Sequence, residues 1–320
     1  MSGNIDFLNV ITEIFRLTLL FSTPFLFASL GELFAQRSGV LNLGVEGMML
    51  MGGFTAIYVV ADKGLGLSPW VGLLVAALVG ALLGLAMAFV SVTLKAEQGI
   101  SGIGFTMFGQ GMSSLLFKVL AGGVLTVQGF QRVDLPVLSD LPFIGKAVFQ
   151  HNALVYIAFA LVPISMWVLN RTNFGLQVRA VGQNPEAADA MGVSVARVRY
   201  ITVTLGGLMA GVAGASLSVA ITNVFQENMT AGAGFIAVAL VYFGAWSPWR
   251  VMAGALIFSA ASILQNFVQI FNSMQGITID IPPNILIMVP YVLIIVVLVF
   301  ARERKRVEPA ALTRPFEREG

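Results

Sequence analysis

Residues 69–94, with the sequence PWVGLLVAALVGALLGLAMAFVSVTL, contain no charged side chain. An α-helix needs about 20 apolar residues to cross the hydrocarbon core of a bilayer, and this stretch is longer than that. Its glycines, among them Gly80 and Gly84, are small enough to let neighbouring helices approach closely. The stretch therefore predicts a transmembrane helix that packs against other helices.

The whole chain has the composition of a protein that uses lipid as part of its solvent. Of its 320 residues, 57% are hydrophobic and 11% are charged, and the mean hydropathy is +0.88. A soluble domain carries about 25% charged residues. Cysteine is absent, which excludes disulfides, thiolate metal sites and a cysteine nucleophile.

Apolar runs of membrane-spanning length recur along the chain. They predict an all-α integral membrane protein, a polytopic bundle of about nine transmembrane helices, within a range of about eight to ten. Residues 1–301 would form the transmembrane domain. The predicted helices are Leu17–Phe34, Val40–Val60, Pro69–Leu94, Ile100–Leu120, Ala153–Leu169, Val198–Ile221, Gly232–Trp246, Val251–Phe271 and Asn284–Phe300.

Basic side chains are concentrated on one side of the predicted bundle. The tail at residues 302–320 and the loop at residues 170–199 are rich in arginine, and an even number of predicted helices separates them. They therefore lie on the same side of the membrane. Because loops rich in Lys and Arg stay in the cytoplasm, we predict a basic cytoplasmic tail, a cytoplasmic C-terminus and an N-terminus outside.

The loop at residues 170–199 contains the signals of a complete short helix. Asn184 is a good N-cap, Pro185 suits the first helical position and Glu186 favours the positive end of the helix dipole. Gly192 can take the left-handed conformation that ends a helix. The predicted helix places Ala187, Ala188 and Met191 on one face. So short a helix is not stable alone in water, so it packs on its own bundle or docks into a cytoplasmic partner.

Several polar side chains lie inside the apolar runs. Glu46 is the least favourable of them, because placing an ionisable group at the centre of a bilayer costs about 2.5–3.5 kcal/mol of free energy or more. Such groups face a partner or water, so each either joins two helices by a hydrogen bond or lines a solute pathway. The candidates for the pathway are Asn42, Glu46, Thr106, Gln110 and Asn266.

Known catalytic and nucleotide-binding motifs are missing. The chain has a single histidine, His151, and no HExxH motif. It also lacks the GxxxxGK[ST] loop that cradles phosphates, because Gly145-Lys146 is followed by Ala147. The sequence therefore does not predict an enzyme, and the chain cannot hold ATP in a P-loop.

Three segments resemble a known family. Residues 36–50, QRSGVLNLGVEGMML, resemble a segment typical of bacterial ABC-importer permeases of the branched-chain amino acid and simple-sugar type, most closely the nucleoside branch. Residues 180–188, AVGQNPEAA, followed by Gly192, resemble the helix that couples such permeases to their ATPase, and residues 232–240, GAGFIAVAL, resemble a third element. Residues 101–106, SGIGFT, depart from the family's SGIALN, since Thr106 replaces an amide.

The resemblance implies a permease subunit of an ATP-driven importer in the bacterial cytoplasmic membrane. Its partners would be a cytoplasmic ABC ATPase, a second permease subunit in a heterodimer, an extracytoplasmic solute-binding protein and membrane lipid, but no nucleic acid. The chain would carry no cofactor, because the ATPase subunit binds ATP. The coupling residues would be Gly182, Gln183, Asn184, Pro185, Glu186, Ala187, Ala188, Met191 and Gly192, flanked by Arg179, Arg197 and Arg199.

The solute and the energy source stay open at this point. Nucleosides come first, simple sugars second and branched-chain amino acids third. The main alternative is a secondary transporter driven by an ion gradient, in which Glu46 would bind the coupling ion. A membrane-embedded enzyme would need a charged catalytic cluster at the membrane face, and a scaffold subunit without a pore is the remaining alternative.

Overall fold

The computed structural model describes residues 7–134, 144–275, 288–289, 292 and 308–317. Within these ranges the chain is almost entirely helical. The helices are α1 (Phe7–Arg37), α2 (Val45–Val60), α3 (Pro69–Ala88), α4 (Gln98–Leu116), α5 (Ile144–Val148), α6 (Ala153–Arg171), α7 (Asn173–Gln183), α8 (Pro185–Ala190), α9 (Val195–Ala215), α10 (Ala233–Phe243) and α11 (Pro248–Gln275). π-helical turns at Phe89–Thr93, Phe117–Ala121 and Ser216–Ile221 extend α3, α4 and α9.

Short strands join the loops at the end of the bundle opposite α8. They are β1 (Leu125–Thr126), β2 (Arg132–Asp134), β3 (Gln150–Asn152) and β4 (Val224–Phe225). β1 pairs with β4 and β2 pairs with β3, both antiparallel. The β1–β4 pair ties the loop after α4 to the loop after α9, which are far apart in the sequence.

The predicted apolar runs coincide with helices wherever the structure describes them. Two boundaries differ: α1 begins well before Leu17, and Val40–Gly44 is not helical, so that α2 begins at Val45. The ninth predicted run, Asn284–Phe300, lies largely outside the described residues.

An all-α membrane protein is confirmed, whereas the count of nine crossings stays a prediction. In the described part of the chain, 4 helices are long and apolar enough to cross a membrane. They are Val10–Arg37, Pro69–Thr93, Ala153–Arg171 and Val195–Ile221, and shorter apolar helices are Val45–Val60, Ala233–Phe243 and Pro248–Leu264.

Close helix packing around α9 forms the centre of the bundle. A Cβ atom at Gly207 of α9 would lie 2.3 Å from the carbonyl oxygen of Gly80 in α3 and 2.6 Å from the Cα of Gly84. Lipid offers little hydrophobic drive for helices to associate, so dispersion contacts at such small-residue interfaces hold them together. α2 packs on the same helix and is buried along nearly its whole length.

α4 begins at Gln98 because Glu97 caps it. The carboxylate of Glu97 accepts the backbone N–H groups of Ile100 and Gly99. These two hydrogen bonds to the charged form hold the pKa of Glu97 below its usual value. One side of α4 then lies tightly against the start of α2, because a Cβ at Gly109 would meet the Cα of Gly47 at 2.4 Å.

The described part of the tail, residues 308–317, lies against the bundle end that carries α8. The backbone N–H of Ala311 donates to the carbonyl of Gly182 at 2.9 Å, and that of Thr313 donates to Gly39 at 3.2 Å. The guanidinium of Arg199 bridges the carbonyls of Ser38 and Arg314. This part of the predicted basic tail therefore holds the end of α7 against the turn that follows α1.

We expect Gly207→Ala to destabilise the protein, because the added methyl group has no room between α9 and α3. Overpacking of this kind costs about 1–3 kcal/mol. Gly104→Ala in α4 is the matched control, since nothing lies within 4 Å of a Cβ at Gly104. Melting of both variants in detergent should show a lower transition temperature for Gly207→Ala alone. Equal melting temperatures would mean that the α3–α9 contact is looser than the structure shows.

Candidate functional site

The carboxylate of Glu46 joins α2 to the beginning of α10. Its oxygens accept hydrogen bonds from the Thr230 hydroxyl at 2.6 Å, the Gly232 N–H at 2.8 Å and the Gly234 N–H at 2.6 Å. Glu46 is 1% exposed, so these donors replace the water that the carboxylate would otherwise need. The first N–H groups of α10 have no acceptor within their own helix, and its N-cap residue, Gly232, has no side chain to supply one. The Glu46 carboxylate supplies that acceptor.

This arrangement is an N-cap supplied by another helix. The N-terminus of a helix carries a partial positive charge, so a carboxylate there is favourable. The approach is close, because a Cβ at Gly234 would lie 2.5 Å from the Cα of Glu46. The structure therefore shows that Glu46 makes the helix-joining hydrogen bonds that the sequence suggested. A role in the solute pathway stays a prediction.

A buried polar chain continues from this cap to the end of α1. The backbone N–H of Asn42 donates to Glu32 at 3.1 Å, and Gln36 also donates to Glu32, at 3.0 Å. Gln36 in turn accepts from the indole of Trp246 at 2.9 Å. The sequence analysis missed Glu32, although the rule that singled out Glu46, an ionisable group within an apolar run, applies to it equally.

Asn42 and Thr106 also lie at the beginning of α2, and both are buried. The side-chain oxygen of Asn42 accepts the Gly44 N–H at 2.9 Å, which shapes the turn that enters α2. The hydroxyl of Thr106 donates to the carbonyl of Leu43 at 2.9 Å. Asn42 and Thr106 thus support the turn that enters α2, next to Glu46 in the first turn of that helix. A direct contact of Asn42 or Thr106 with solute would require this support to open.

Gln110 has a different environment from the other candidates. It is exposed, and its side-chain amide donates to the Asn228 side chain at 3.5 Å. The last candidate, Asn266, lies in α11, and its side chain is outside the described part of the structure. Of the predicted pathway residues whose side chains are described, Gln110 alone is exposed.

The short helix predicted in the loop at residues 170–199 is confirmed as α8. The Asn184 side chain accepts the Ala187 N–H at 2.9 Å, and Pro185 occupies the first helical position. Gly192 follows with φ +82°, the left-handed conformation expected of a helix end. The preceding helix α7 was not predicted. Because Thr172 accepts the Gly175 N–H at 3.1 Å, the N-cap signal for α7 was present in the sequence.

The predicted coupling residues divide between two faces. Gly182, Pro185 and Ala188 face the bundle, and a Cβ at Gly182 would lie 2.0 Å from the carbonyl oxygen of Arg37. The predicted common face of Ala187, Ala188 and Met191 is wrong, because Ala188 is buried while the other two are exposed. The remaining exposed members are Gln183, Asn184, Glu186 and Gly192.

The flanking arginines also differ. Arg197 is exposed and Arg179 is half-buried, so both have side chains at the surface. Arg199 is 1% exposed and donates to the carbonyls of Ser38 and Arg314. The expectation that Arg199 pairs with a partner is therefore wrong, because its guanidinium fastens the tail to the turn after α1.

We expect Glu46→Ala to lower stability by about 3 kcal/mol, because three buried donors lose their acceptor. Glu46→Gln should have a smaller effect, since its amide oxygen still accepts. Glu317→Ala, which removes only an exposed ion pair with Lys95, is the control and should change stability by less than about 1 kcal/mol. Melting in detergent is the measurement. A Glu46→Ala variant as stable as the control would show that the cap contributes nothing.

Comparison with known proteins gives a consistent family. Residues 14–298 match the model of the branched-chain amino acid transport system / permease component family. TsgC13 of Haloferax volcanii, named provisionally as a glucose ABC transporter permease, is 37% identical over 93% of this chain and 95% of its own. The guanosine ABC transporter permease NupQ of Bacillus subtilis is 35% identical over 92% and 93%. The nucleoside permease NupC of Lactococcus lactis is 34% identical over 88% and 89%. No solved structure matches the chain significantly.

All three of these organisms have a second, more distant relative with a matching description, which in Haloferax volcanii is the glucose permease TsgB13 at 25% identity. Bacillus subtilis has the guanosine permease NupP at 26% identity, and Lactococcus lactis has the nucleoside permease NupB at 25% identity. Each of these organisms therefore has two permeases that are related to this chain and share a description. The family match covers most of the chain, and it agrees with the helical membrane fold. The chain belongs to the family of membrane permease components represented by the branched-chain amino acid transport system.

Proposed function

We propose that this chain is one permease subunit of an ATP-driven importer for nucleosides in a bacterial cytoplasmic membrane, with simple sugars as the second choice of solute. The observation that carries the proposal is the combination of α8, an exposed helix beyond the bundle, with relatives named as guanosine and nucleoside permeases over nearly the whole chain. A relative named for glucose keeps sugars as the alternative.

The exposed side of α8 is the proposed docking surface for a cytoplasmic ATPase. Met191 at its end is 84% exposed, so its apolar side chain is accessible to a partner. Glu186 and Arg197 lie at the surface nearby in the sequence and would pair with charges on the ATPase. This placement puts α8 and the tail in the cytoplasm, in agreement with the arginine-rich loops.

A motion of α8 would be transmitted to the membrane-spanning helices through two contacts. The first is the packing of Gly182 against the end of α1, which the tail reinforces through Ala311. The second is the guanidinium of Arg37, which donates to the carbonyl of Trp246 at 3.0 and 2.7 Å. Trp246 lies in the turn after α10, and Glu46 holds the other end of that helix. ATP binding would therefore move α8, α1 and α10 together and reorient the pathway.

The partners of this subunit follow from the same proposal. The second permease would be a distinct chain, as the paired relatives suggest, and a solute-binding protein would deliver solute on the external side. The ATPase would bind ATP, so that this chain is not the enzyme of the complex.

The geometry of Glu46 argues against the ion-driven alternative. In that alternative, Glu46 would have to take up and release a proton or sodium ion during each cycle. Both carboxylate oxygens of Glu46 already accept hydrogen bonds from neighbouring groups, and the residue is 1% exposed.

Uptake of labelled adenosine, cytidine and ribose by cells with and without this gene tests the function. The assay is repeated with the proton gradient collapsed and ATP preserved. We expect gene-dependent nucleoside uptake that persists without the gradient. Uptake that disappears with the gradient would contradict an ATP-driven importer, and transport of ribose alone would change the solute to sugars.

Variants at the exposed side of α8 test the docking surface. Met191→Asp and Glu186→Lys should lower co-purification of the ATPase about tenfold. The first variant places a charge in an apolar contact, and the second reverses a charge at the same surface. Leu65→Asp is the control, because Leu65 is 58% exposed in the loop that follows α2, away from α8. All three chains should reach the membrane in equal amount. Normal co-purification and uptake with both α8 variants would show that this surface does not bind the ATPase.

A further inference from the structure

A cluster of polar side chains lies on α4 beside the side that contacts α2. Ser114 donates a hydrogen bond to Glu227, and the Lys118 ammonium lies 3.2 Å from the same carboxylate. Gln110, nearer the middle of the helix, donates to Asn228 at 3.5 Å. Two consecutive residues of the loop after β4 thus face polar side chains on successive turns of α4.

The loop that supplies Glu227 and Asn228 runs along α2. It begins at Phe225, whose ring packs edge-on against Phe54 in the second half of α2, with centroids 5.5 Å apart. It ends at Thr230 and Gly232, which donate to Glu46 in the first turn of α2. The loop therefore descends along much of α2, a buried apolar helix, without forming a helix itself.

The backbone of this loop is held in an uncommon conformation. Asn228 and Ala231 have φ +57° and +45°, in the left-handed region that residues with a Cβ rarely adopt. Such conformations persist where the surroundings over-determine them, and they cluster at functional sites. Glu46 supplies that constraint here by binding the end of the loop.

Lipid cannot cover this surface. Non-helical backbone at membrane depth occurs only where protein buries it or where it lines a water-filled cavity. Glu227 and Lys118 have side chains 44% and 66% exposed, so the described part of this chain does not bury them. The fourth helix is also absent from the spans that are apolar enough to cross a membrane on composition alone. Of the two surroundings that remain, water and a second protein chain, the exposed ion pair of Glu227 and Lys118 favours water, because burying an ion pair in protein carries a large desolvation penalty.

We infer that Gln110, Ser114, Glu227 and Asn228 form a solute-contact site on the wall of the transport pathway, for an uncharged, polyhydroxylated solute such as the ribose part of a nucleoside. This inference rests on the proposed importer function and gives it a location. Lys118 is the positioning residue, because its ammonium orients the Glu227 carboxylate.

The chemistry of the cluster suits such a solute. A carboxylate accepts hydrogen bonds from the hydroxyl groups of a ribose, as in dinucleotide-binding sites. The Gln110 and Asn228 amides each offer a donor and an acceptor, the combination that binds the edge of a purine base. Glu227 offers a phosphate group no hydrogen-bond donor and already pairs with the Lys118 ammonium, so the site favours nucleosides over nucleotides.

The absence of cysteine in this chain permits a direct test. Asn228→Cys and Ser114→Cys are made in the full transporter and treated, in membranes, with a small water-soluble methanethiosulfonate, which reacts with the thiolate. Leu78→Cys is the control, because Leu78 is 64% exposed on the apolar helix α3. We expect both cluster cysteines to react at least about tenfold faster than the control, because a thiol surrounded by lipid stays protonated. Equal rates would overturn the inference.

Protection by solute separates the site from the function. Adenosine should slow the reaction at Asn228→Cys, whereas adenosine monophosphate should not. Fast labelling that adenosine leaves unchanged would contradict a solute site. Failure of the importer function is detected separately, as an unsubstituted chain that gives no gene-dependent uptake.

Transport by Glu227→Gln gives a second measurement. We expect the KM for adenosine to rise about tenfold, with little change in the maximal rate, because a charged acceptor is lost from the bound solute. Glu317→Gln is the matched control at an exposed position of the tail. An unchanged KM in Glu227→Gln would exclude Glu227 from the site.

Discussion

The hydrogen bonds between Glu46 and the N-terminus of α10 are the interaction on which the rest of the structure depends. They allow an 11-residue helix to begin inside the bundle, where its backbone N–H groups would otherwise have no acceptor. They also fix the end of the loop that carries Glu227 and Asn228. A single buried carboxylate thus supports both a broken helix and the polar loop beside it.

Close helix packing allows the Glu46 carboxylate to reach the N-terminus of α10. Gly47 lets α4 approach the start of α2, and Gly234 lets α10 approach Glu46 itself. Because no side chain lies between the two helices at Gly234, the hydroxyl of Thr230 and the N–H groups of Gly232 and Gly234 reach the Glu46 carboxylate at 2.6 to 2.8 Å. At the opposite end of α10, Arg37 and Trp246 provide the second attachment. α10 is therefore held at both ends, and α1, which supplies Arg37, also packs against Gly182 at the end of α7.

The sequence predicted features that depend on local chemistry and missed those that depend on distant partners. α8 could be predicted because Asn184, Pro185 and Gly192 act within one short segment. The face that α8 exposes could not, since the tail and the end of α1 decide it. Glu46 was recognised as costly, but Thr230 and Gly232, its partners, lie far along the chain. The polar loop was missed because nothing local shows that residues 226–232 return into the bundle.

The claim that α8 and α10 move as one unit is tested most directly by the distance between them in the intact transporter. Spin labels at Ala187 on α8 and at Ala231 before α10, both exposed, would report it without interference from cysteines of this chain, which has none. The account predicts the same distance distribution in the nucleotide-free and ATP-bound states. A distribution that shifts when ATP binds would show that α8 moves relative to α10, and it would contradict transmission through Arg37 and Glu46.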